Sequence, residues 1–295
     1  MSLPFTAEHA YGLDEGLPDI DWAVAPEGTR AYRFDAPSGS LAAWDLGDPE
    51  GERVVLVGGA TGSKEDFALL APILAGQGYF VQCYDLAGQY QSADAGPAGA
   101  DGWTYELFLD DLVALLETGV PAHLLGFSFG GILAQLVATR RPELLRSLTL
   151  LASPPLTGQV FRGIRFIGWL TLTPFFTKHL GGGVLLWNVR TNFSKVTPER
   201  LRFANDRLAH TRRVSVDGIV GLMMKAPDLR ARLRASRIPK LVVAGAHDLW
   251  RARRYRRYAR EIGASVSIYA TGHSPSETTP HQLAVDMVEL FRHAD

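Results

Sequence analysis

The chain has 295 residues, of which 46% are apolar, and its 30 basic residues nearly balance its 31 acidic residues. This length and composition suit one enzyme-sized domain with a large core, and the charge balance argues against a nucleic-acid-binding protein. No stretch is long and apolar enough to span a bilayer. A signal peptide is not recognisable, and the single cysteine, Cys83, suits a reducing compartment, so a cytoplasmic location is predicted.

Residues 1–29 are acidic and contain several Pro and Gly residues, so they are predicted to form an extended N-terminal segment anchored by Trp22. Apolar runs then predict eight strands, near residues 30–35, 41–46, 54–58, 79–84, 122–127, 146–152, 240–246 and 265–270. Helices are predicted at 65–76, 104–117, 129–140, 249–262 and 280–293. This alternation predicts an α/β fold with a mostly parallel, doubly wound sheet.

The predicted strands at 146–152 and 240–246 are separated by a long segment with helical periodicity, residues 154–237. A connection of that length requires a structure of its own. We therefore expect a helical cap at 154–237, inserted into a core domain that comprises residues 1–153 and 238–295.

Gly126-Phe127-Ser128-Phe129-Gly130 lies between an apolar run and a helical run. Strand, sharp turn and helix form the context of a nucleophile elbow, in which a strained serine exposes its hydroxyl group and glycines allow close backbone approach. Such a serine needs a histidine base, which in turn needs a carboxylate to hold its tautomer. Asp248 and His273 each follow a predicted strand, in the chain order Ser, acid, His. Ser128, Asp248 and His273 are therefore the predicted catalytic residues.

Alternative acids and bases are less suitable. The end of the preceding strand reads Ala152-Ser153-Pro154 and offers no carboxylate in place of Asp248. His247 adjoins Asp248, so its side chain should point elsewhere, and a structural or pocket-lining role is predicted for it. The remaining histidines lack metal-ligand spacing, and neither a catalytic metal nor another cofactor is predicted.

With these residues, the chain from about Arg30 to its C-terminus resembles the α/β-hydrolase-fold enzymes. The segment from Val54 to Ser63 is similar to the family's oxyanion loop, with Gly58 where the family commonly has His. A second loop, Asp85 to Ser92, is similar to the family's D-x-x-G-x-G-x-S loop, with Tyr90 replacing its second glycine. The resemblance implies that the backbone amides of Ala60 and Phe129 form the oxyanion hole.

The resemblance implies a serine hydrolase that cleaves an ester or thioester through an acyl-enzyme. Acyl transfer, carbon–carbon bond hydrolysis, lyase and cyclase chemistry stay open on the same fold, as does a ligand-binding receptor or pseudoenzyme. A dinucleotide-binding interpretation of residues 54–85 is disfavoured, because a repeated glycine pattern starting at Gly59 would require glycine where Glu65 stands.

Apolar residues near the elbow and in the predicted cap suggest a hydrophobic small-molecule substrate. The residues predicted to contact it are Gly59, Phe127, Trp169, Trp187, Met223 and Trp250. The arginine-rich segment 251–260 is interpreted as a solvated helix face. A docking patch for an acidic partner, such as a carrier protein or an anionic substrate, is its alternative, and a homodimer contact through the cap also stays open.

Overall fold

The structure is a computed structural model that describes residues 6–99, 102–163 and 197–294. The strands of these ranges are β1 (Arg30–Ala36), β2 (Gly39–Leu46), β3 (Glu52–Val57), β4 (Tyr79–Tyr84), β5 (Ala122–Phe127), β6 (Leu145–Leu151), β7 (Lys240–Gly245) and β8 (Ser265–Tyr269). The helices are α1 (Ala7–Glu15), α2 (Leu70–Ala75), α3 (Tyr105–Leu116), α4 (Phe129–Arg140), α5 (Pro198–His210), α6 (Arg213–Met223), α7 (Arg230–Ala235), α8 (Ala252–Ile262), α9 (Pro275–Thr278) and α10 (Pro280–Arg292). Short 3-10 turns cover Lys64–Phe67, Tyr90–Ser92, Pro142–Leu144 and Val160–Gly163.

The described strands form one sheet in the order β1-β2-β4-β3-β5-β6-β7-β8. β2 runs antiparallel to β1 and β4, and the remaining pairs are parallel. Apolar side chains of α3, α4 and α8 pack on one face, represented by Phe108, Leu133 and Tyr255. Side chains of α2 and α10, such as Leu74 and Met287, pack on the other face. The predicted doubly wound α/β fold is confirmed, and the loops after its parallel strands meet at one edge of the sheet.

The predicted strands and four of the five predicted helices agree with the observed ones to within a few residues. The N-terminal segment contains α1 and is not extended throughout, because Thr6 caps this helix and Asp14 accepts hydrogen bonds from the backbone amides of His281 and Gln282 at 2.9 and 3.1 Å. The helix predicted at 65–76 consists of a 3-10 turn and α2. Its first turn is closed separately by a capping box between Ser63 and Asp66.

The long connection between β6 and β7 contains α5, α6 and α7 in its described part. Two of the predicted substrate contacts, Trp169 and Trp187, lie outside the described residues. The boundaries of a separate cap at 154 and 237 stay a prediction. Across the ranges that the structure describes, no helix combines the length and the apolarity needed to cross a membrane.

The end of β7 lies against the loop that leads to His273. The amide of His247 donates to the carbonyl oxygen of Thr271 at 3.0 Å. A side-chain carbon added at Gly245 would lie only 2.0 Å from the carbonyl oxygen of Gly272 and 2.3 Å from that of Thr271. The close approach of these two backbones therefore requires glycine at position 245.

We expect Gly245→Ala to lower the free energy of unfolding by about 1–3 kcal/mol, because the added carbon overpacks a rigid backbone contact. Urea denaturation measures this change. Gly221→Ala in α6 is the matched control, because a carbon added there meets no atom within 4 Å. Alanine is the better helix former, so the control should keep or raise the stability. Equal losses in the two variants would contradict the argument.

Candidate active site

Ser128 lies in the sharp turn between β5 and α4, with a φ of 51° and a ψ of −114°. Such a backbone is strained for a residue with a side chain. The turn is held by close contacts: a side-chain carbon at Gly126 would lie 2.3 Å from the carbonyl oxygen of Gly130, and one at Gly130 would lie 2.5 Å from that of Gly58. The turn therefore has the geometry of a nucleophile elbow, with its serine hydroxyl at the carboxyl edge of the sheet.

The structure brings together all three predicted catalytic side chains. His273 Nε2 lies 3.2 Å from Ser128 Oγ, and His273 Nδ1 lies 2.7 Å from Asp248 Oδ1. All three residues are buried. With Nδ1–H donating to the carboxylate, Nε2 is left as an acceptor for the serine hydroxyl proton. The arrangement can therefore activate a hydroxyl nucleophile.

The Asp248 carboxylate has two further donors. The Tyr255 hydroxyl donates to Oδ2 at 2.8 Å, and the backbone amide of Leu249 donates to Oδ1. Burial and the neighbouring Asp248 carboxylate raise the pKa of Tyr255 well above its usual value, so the phenol keeps its proton. Sequence reasoning missed Tyr255 because it stands among arginines. The helical spacing of Tyr255, Tyr258 and Ile262, all buried, could have indicated an inward face.

The loop after β3 runs along the elbow. A side-chain carbon at Gly59 would lie 3.0 Å from Ser128 Cβ, and Thr61 has a φ of 59°. Within the described residues, the predicted oxyanion donors, the amides of Ala60 and Phe129, have no backbone acceptor. Phe129 begins α4, and the first amides of a helix lack an intrahelical acceptor. The oxyanion-hole role of these two amides stays a prediction.

Asp66 braces this loop, in which Gly58 replaces the family's usual histidine. The backbone amide of Ser63 donates to Asp66 Oδ2 at 3.2 Å. Asp66 Oδ1 accepts from Arg200 at 2.7 Å and from Arg207, which also donates to Ser63 Oγ at 3.2 Å. Burial alone would raise the pKa of the Asp66 carboxyl, but the guanidinium groups of Arg207 and Arg200 hold that pKa below its usual value.

The same network reaches the loop of the predicted base. Arg200 Nε donates to Glu277 Oε2 at 2.8 Å, and Glu277 lies in α9, just after His273. Arg200 of α5 therefore joins the loop after β3 to the segment after β8, and Arg207 adds a second contact with the loop after β3. Sequence analysis did not predict Asp66, Arg200, Arg207 or Glu277, since no local pattern links positions so far apart in the chain.

Tyr90, which replaces a family glycine, adopts a glycine-like backbone with a φ of 39°. Its amide donates to Thr211 Oγ1 at 3.0 Å, and its ring packs edge-on against Phe203 at 5.7 Å between centroids. Contacts with the β6–β7 connection thus hold a tyrosine where glycine would be the easier residue. Asp85, at the start of the same loop, accepts from the Lys64 amide at 2.8 Å and so ties this loop to the loop after β3.

Four of the predicted substrate contacts lie within the described residues, and two of them are near the predicted base, His273. The Phe127 ring centroid is 5.3 Å from that of His273, and the Trp250 centroid is 6.1 Å from it. Trp250 is fully buried and donates to the carbonyl oxygen of Val160 at 3.0 Å, and Met223 is buried in α6. The substrate-binding roles of these residues and of Gly59 stay predictions. In the described ranges, no group of three or more potential ligands could hold a metal ion.

Several solved structures share this fold. They include the enol-lactonase from Burkholderia xenovorans LB400 (TM-score 0.73, 19% identity, 88% of this chain and 100% of that chain covered). The esterase from Exiguobacterium antarcticum has a TM-score of 0.72 at 17% identity, covering 89% of this chain and 100% of its own. The thioesterase domain from the curacin biosynthetic pathway has a TM-score of 0.67 at 18% identity, covering 88% of this chain and 99% of its own. At these identities, the likeness shows the fold alone.

A search of curated proteins gives no significant match to the sequence. Residues 48–271 match the family described as serine aminopeptidase, S33. This match includes β3 to β8, the elbow and Asp248, and it ends just before His273. Since the match covers most of the chain, the protein belongs to the serine aminopeptidase S33 family of α/β-fold hydrolases.

Proposed function

We propose that this protein is a serine hydrolase that cleaves an ester or thioester of a hydrophobic small molecule through an acyl-enzyme. The observation that carries the proposal is the position of His273, which contacts Asp248 through Nδ1 and Ser128 through Nε2. Membership of a hydrolase family supports the broader class of reaction. The names of the similar structures, a lactonase, an esterase and a thioesterase, favour oxygen and sulfur esters as substrates.

In the proposed acylation, His273 Nε2 takes the hydroxyl proton while Ser128 Oγ attacks the carbonyl carbon. The new Oγ–C bond moves the carbonyl electron pair onto oxygen, and the amides of Ala60 and Phe129 donate to that oxyanion. Asp248 stabilises the imidazolium ion. The imidazolium then gives its proton to the leaving alkoxide or thiolate as the C–O or C–S bond breaks.

Deacylation repeats these steps with water. His273 takes a proton from water as the water oxygen attacks the acyl carbon, and the proton later returns to Ser128 Oγ when the acid product leaves. Tyr255 and the Leu249 amide hold the Asp248 carboxylate in place through both half-reactions. The Phe127 ring near the imidazole provides apolar surface that suits a hydrophobic acyl group.

A serine-directed fluorophosphonate followed by intact-mass analysis tests the nucleophile. We expect one adduct on the wild type and none on Ser128→Ala or His273→Ala. The matched control is Ser153→Ala, because Ser153 is also buried after a strand but accepts from Gln135. This control should still be labelled. An adduct on Ser128→Ala would reject the assignment.

Turnover tests the reaction class. Hydrolysis of p-nitrophenyl esters should fall by about a thousandfold or more in Ser128→Ala. The wild type should cleave an acyl ester and its thioester faster than the matched amide. Faster cleavage of an aminoacyl amide would instead favour peptidase activity, and single acylation without turnover would favour a ligand receptor.

Tyr255→Phe should lower kcat by about tenfold with a small change in KM, since a hydrogen bond to a charged group contributes about 1.5–3 kcal/mol. Steady-state kinetics on a p-nitrophenyl ester measures the effect. Tyr258→Phe is the matched control, because its hydroxyl lies on the same helix but donates to the neutral Gln135 side chain at 2.6 Å. Similar kcat losses in both variants would assign Tyr255 a general packing role.

Asp66→Asn should reduce stability at neutral pH by about 3 kcal/mol, because it leaves the buried Arg207 guanidinium group without its carboxylate and removes one of the two carboxylates that pair with Arg200. The Asp66 pKa is lower in the fold than its ordinary value of 3.8. Its ionised form therefore stabilises the protein above about pH 4, and this contribution disappears as the pH falls through the folded-state pKa. The difference between variant and wild type should shrink accordingly in acid.

Urea denaturation across a pH series measures this difference. Asp206→Asn, an exposed change on the same helix α5, should have an effect within about 0.5 kcal/mol. If Asp66 also positions the oxyanion loop, its variant should lose more in kcat than in KM, because that loop acts on the transition state. A stability difference that grows in acid would contradict the role of the charge.

A further inference from the structure

A positively charged groove of about 580 Å³ lies between α7, α8 and the segment after β6. Six of its lining residues are arginines: Arg162, Arg230, Arg253, Arg254, Arg257 and Arg260. We call it the arginine groove. Its volume is within the range of small-molecule sites, and its concave shape distinguishes it from a flat charged patch.

The arginines come from three separate elements. Four lie on α8, Arg230 begins α7, and Arg162 lies in the 3-10 turn Val160–Gly163. A solvated face of one helix, the first interpretation of segment 251–260, does not require arginines from two other elements to line the same cavity. The convergence therefore favours the alternative interpretation, a binding site for an anion.

The described carboxylates compensate only part of this charge. Glu261 is the acidic residue that lines the groove, and it pairs with Arg230 at 3.0 Å and Arg257 at 2.7 Å. Asp228 also pairs with Arg230, at 2.5 Å. Arg253, Arg254 and Arg260 form no ion pair with a described carboxylate. A chain with a formal net charge of −1 thus concentrates uncompensated positive charge in one cavity.

The arrangement is unfavourable for the helix itself. Arg253 and Arg254 stand in the first turn of α8, which contains no acidic residue. The helix dipole disfavours cations at that end. Arg253 and Arg257 are also like charges four residues apart, a spacing that destabilises a helix. A bound anion would relieve both repulsions, whereas helix stability alone would favour other residues at these positions.

We propose that the arginine groove binds a small molecule carrying a multiply charged phosphate group, such as a diphosphate. The planar guanidinium group donates in pairs to phosphate oxygens, and several guanidinium groups around one cavity match a ligand with more than one negative charge. The site is distinct from Ser128, His273 and Asp248. It nevertheless shares α8 with Tyr255, whose buried hydroxyl contacts Asp248.

Isothermal titration calorimetry with inorganic pyrophosphate at low ionic strength tests the site. We expect saturable binding to the wild type and a loss of about tenfold or more in affinity for Arg254→Gln/Arg260→Gln. The matched control is Arg251→Gln/Arg256→Gln, which removes the same charge beside and within the same helix but outside the groove. Its affinity should stay within about twofold of the wild type.

Equal losses in both double variants would show unspecific attraction to the helix and overturn the proposal, as would the absence of saturable binding to the wild type. Ser128→Ala should bind pyrophosphate as the wild type does. This result would support the groove even if the proposed hydrolase activity failed, so the two proposals can be separated.

A kinetic comparison identifies the source of the phosphate, provided that the proposed activity exists. If the substrate carries it, Arg254→Gln/Arg260→Gln should lower kcat/KM for a thioester with a diphosphate on its leaving group and spare one without it. If a separate ligand carries it, both substrates should be cleaved at wild-type rates while pyrophosphate binding is weakened. Weaker pyrophosphate binding by Arg254→Gln/Arg260→Gln supports the site with either of these two kinetic results.

Discussion

The left-handed backbone of Ser128 can persist only where neighbouring chain segments prevent its relaxation. A strained residue of this kind costs about 1–3 kcal/mol, which the surrounding packing must offset. Here β5 is buried along its whole length, and glycines on both sides of the serine bring α4 against the loop after β3 and the end of β6. The elbow is thus a property of three adjacent strands and their helix.

The same edge of the sheet holds other strained positions. Among the described residues, the non-glycine residues with positive φ are Thr61, Tyr90, Ser128 and Ala152. They follow β3, β4, β5 and β6, which are four consecutive strands of the sheet. Strain concentrated where parallel strands end, beside the hydroxyl–imidazole–carboxylate chain, is typical of a functional edge.

Charge imposes a second constraint on this edge. A carboxylate as buried as Asp66 is stable only when it is paired, and its partners come from α5 in the β6–β7 connection. Arg200 extends the pairing to Glu277. The loop after β3, the β6–β7 connection and the segment after β8 are therefore coupled through buried charges. If one of these segments moved away, the charged groups left behind would be buried without a partner, which is unfavourable.

The sequence allowed the sheet and the three central side chains to be predicted because their signals are local. Apolar runs mark the strands, and Ser128, Asp248 and His273 each follow such a run. The helix α1 was missed because Asp14 is satisfied by residues at the far end of the chain. Contacts between residues so far apart in the chain produce no periodic pattern in the sequence.

The roles of Tyr255 beside Asp248 and of Asp66 in the loop after β3 were not predicted, for related reasons. The outward arginines around Tyr255 dominate the composition of α8 and obscure its buried face. The partners of Asp66 lie more than a hundred residues away, and only folding brings their charges together. Long-range polar contacts of this kind depend on tertiary geometry, and a single sequence carries no local pattern for them.

The only cysteine of the chain, Cys83, is buried in β4, and burial raises the pKa of its thiol well above the usual value. The thiolate is the form that attacks thiol reagents, so this residue should be nearly inert in the folded protein. The native sequence is thus already suited to site-specific labelling. A cysteine introduced on the exposed side of α5, for example at Asp206, would be the single reactive handle for a fluorophore or spin label. Movement of α5 relative to the sheet could then be followed without removing any native residue.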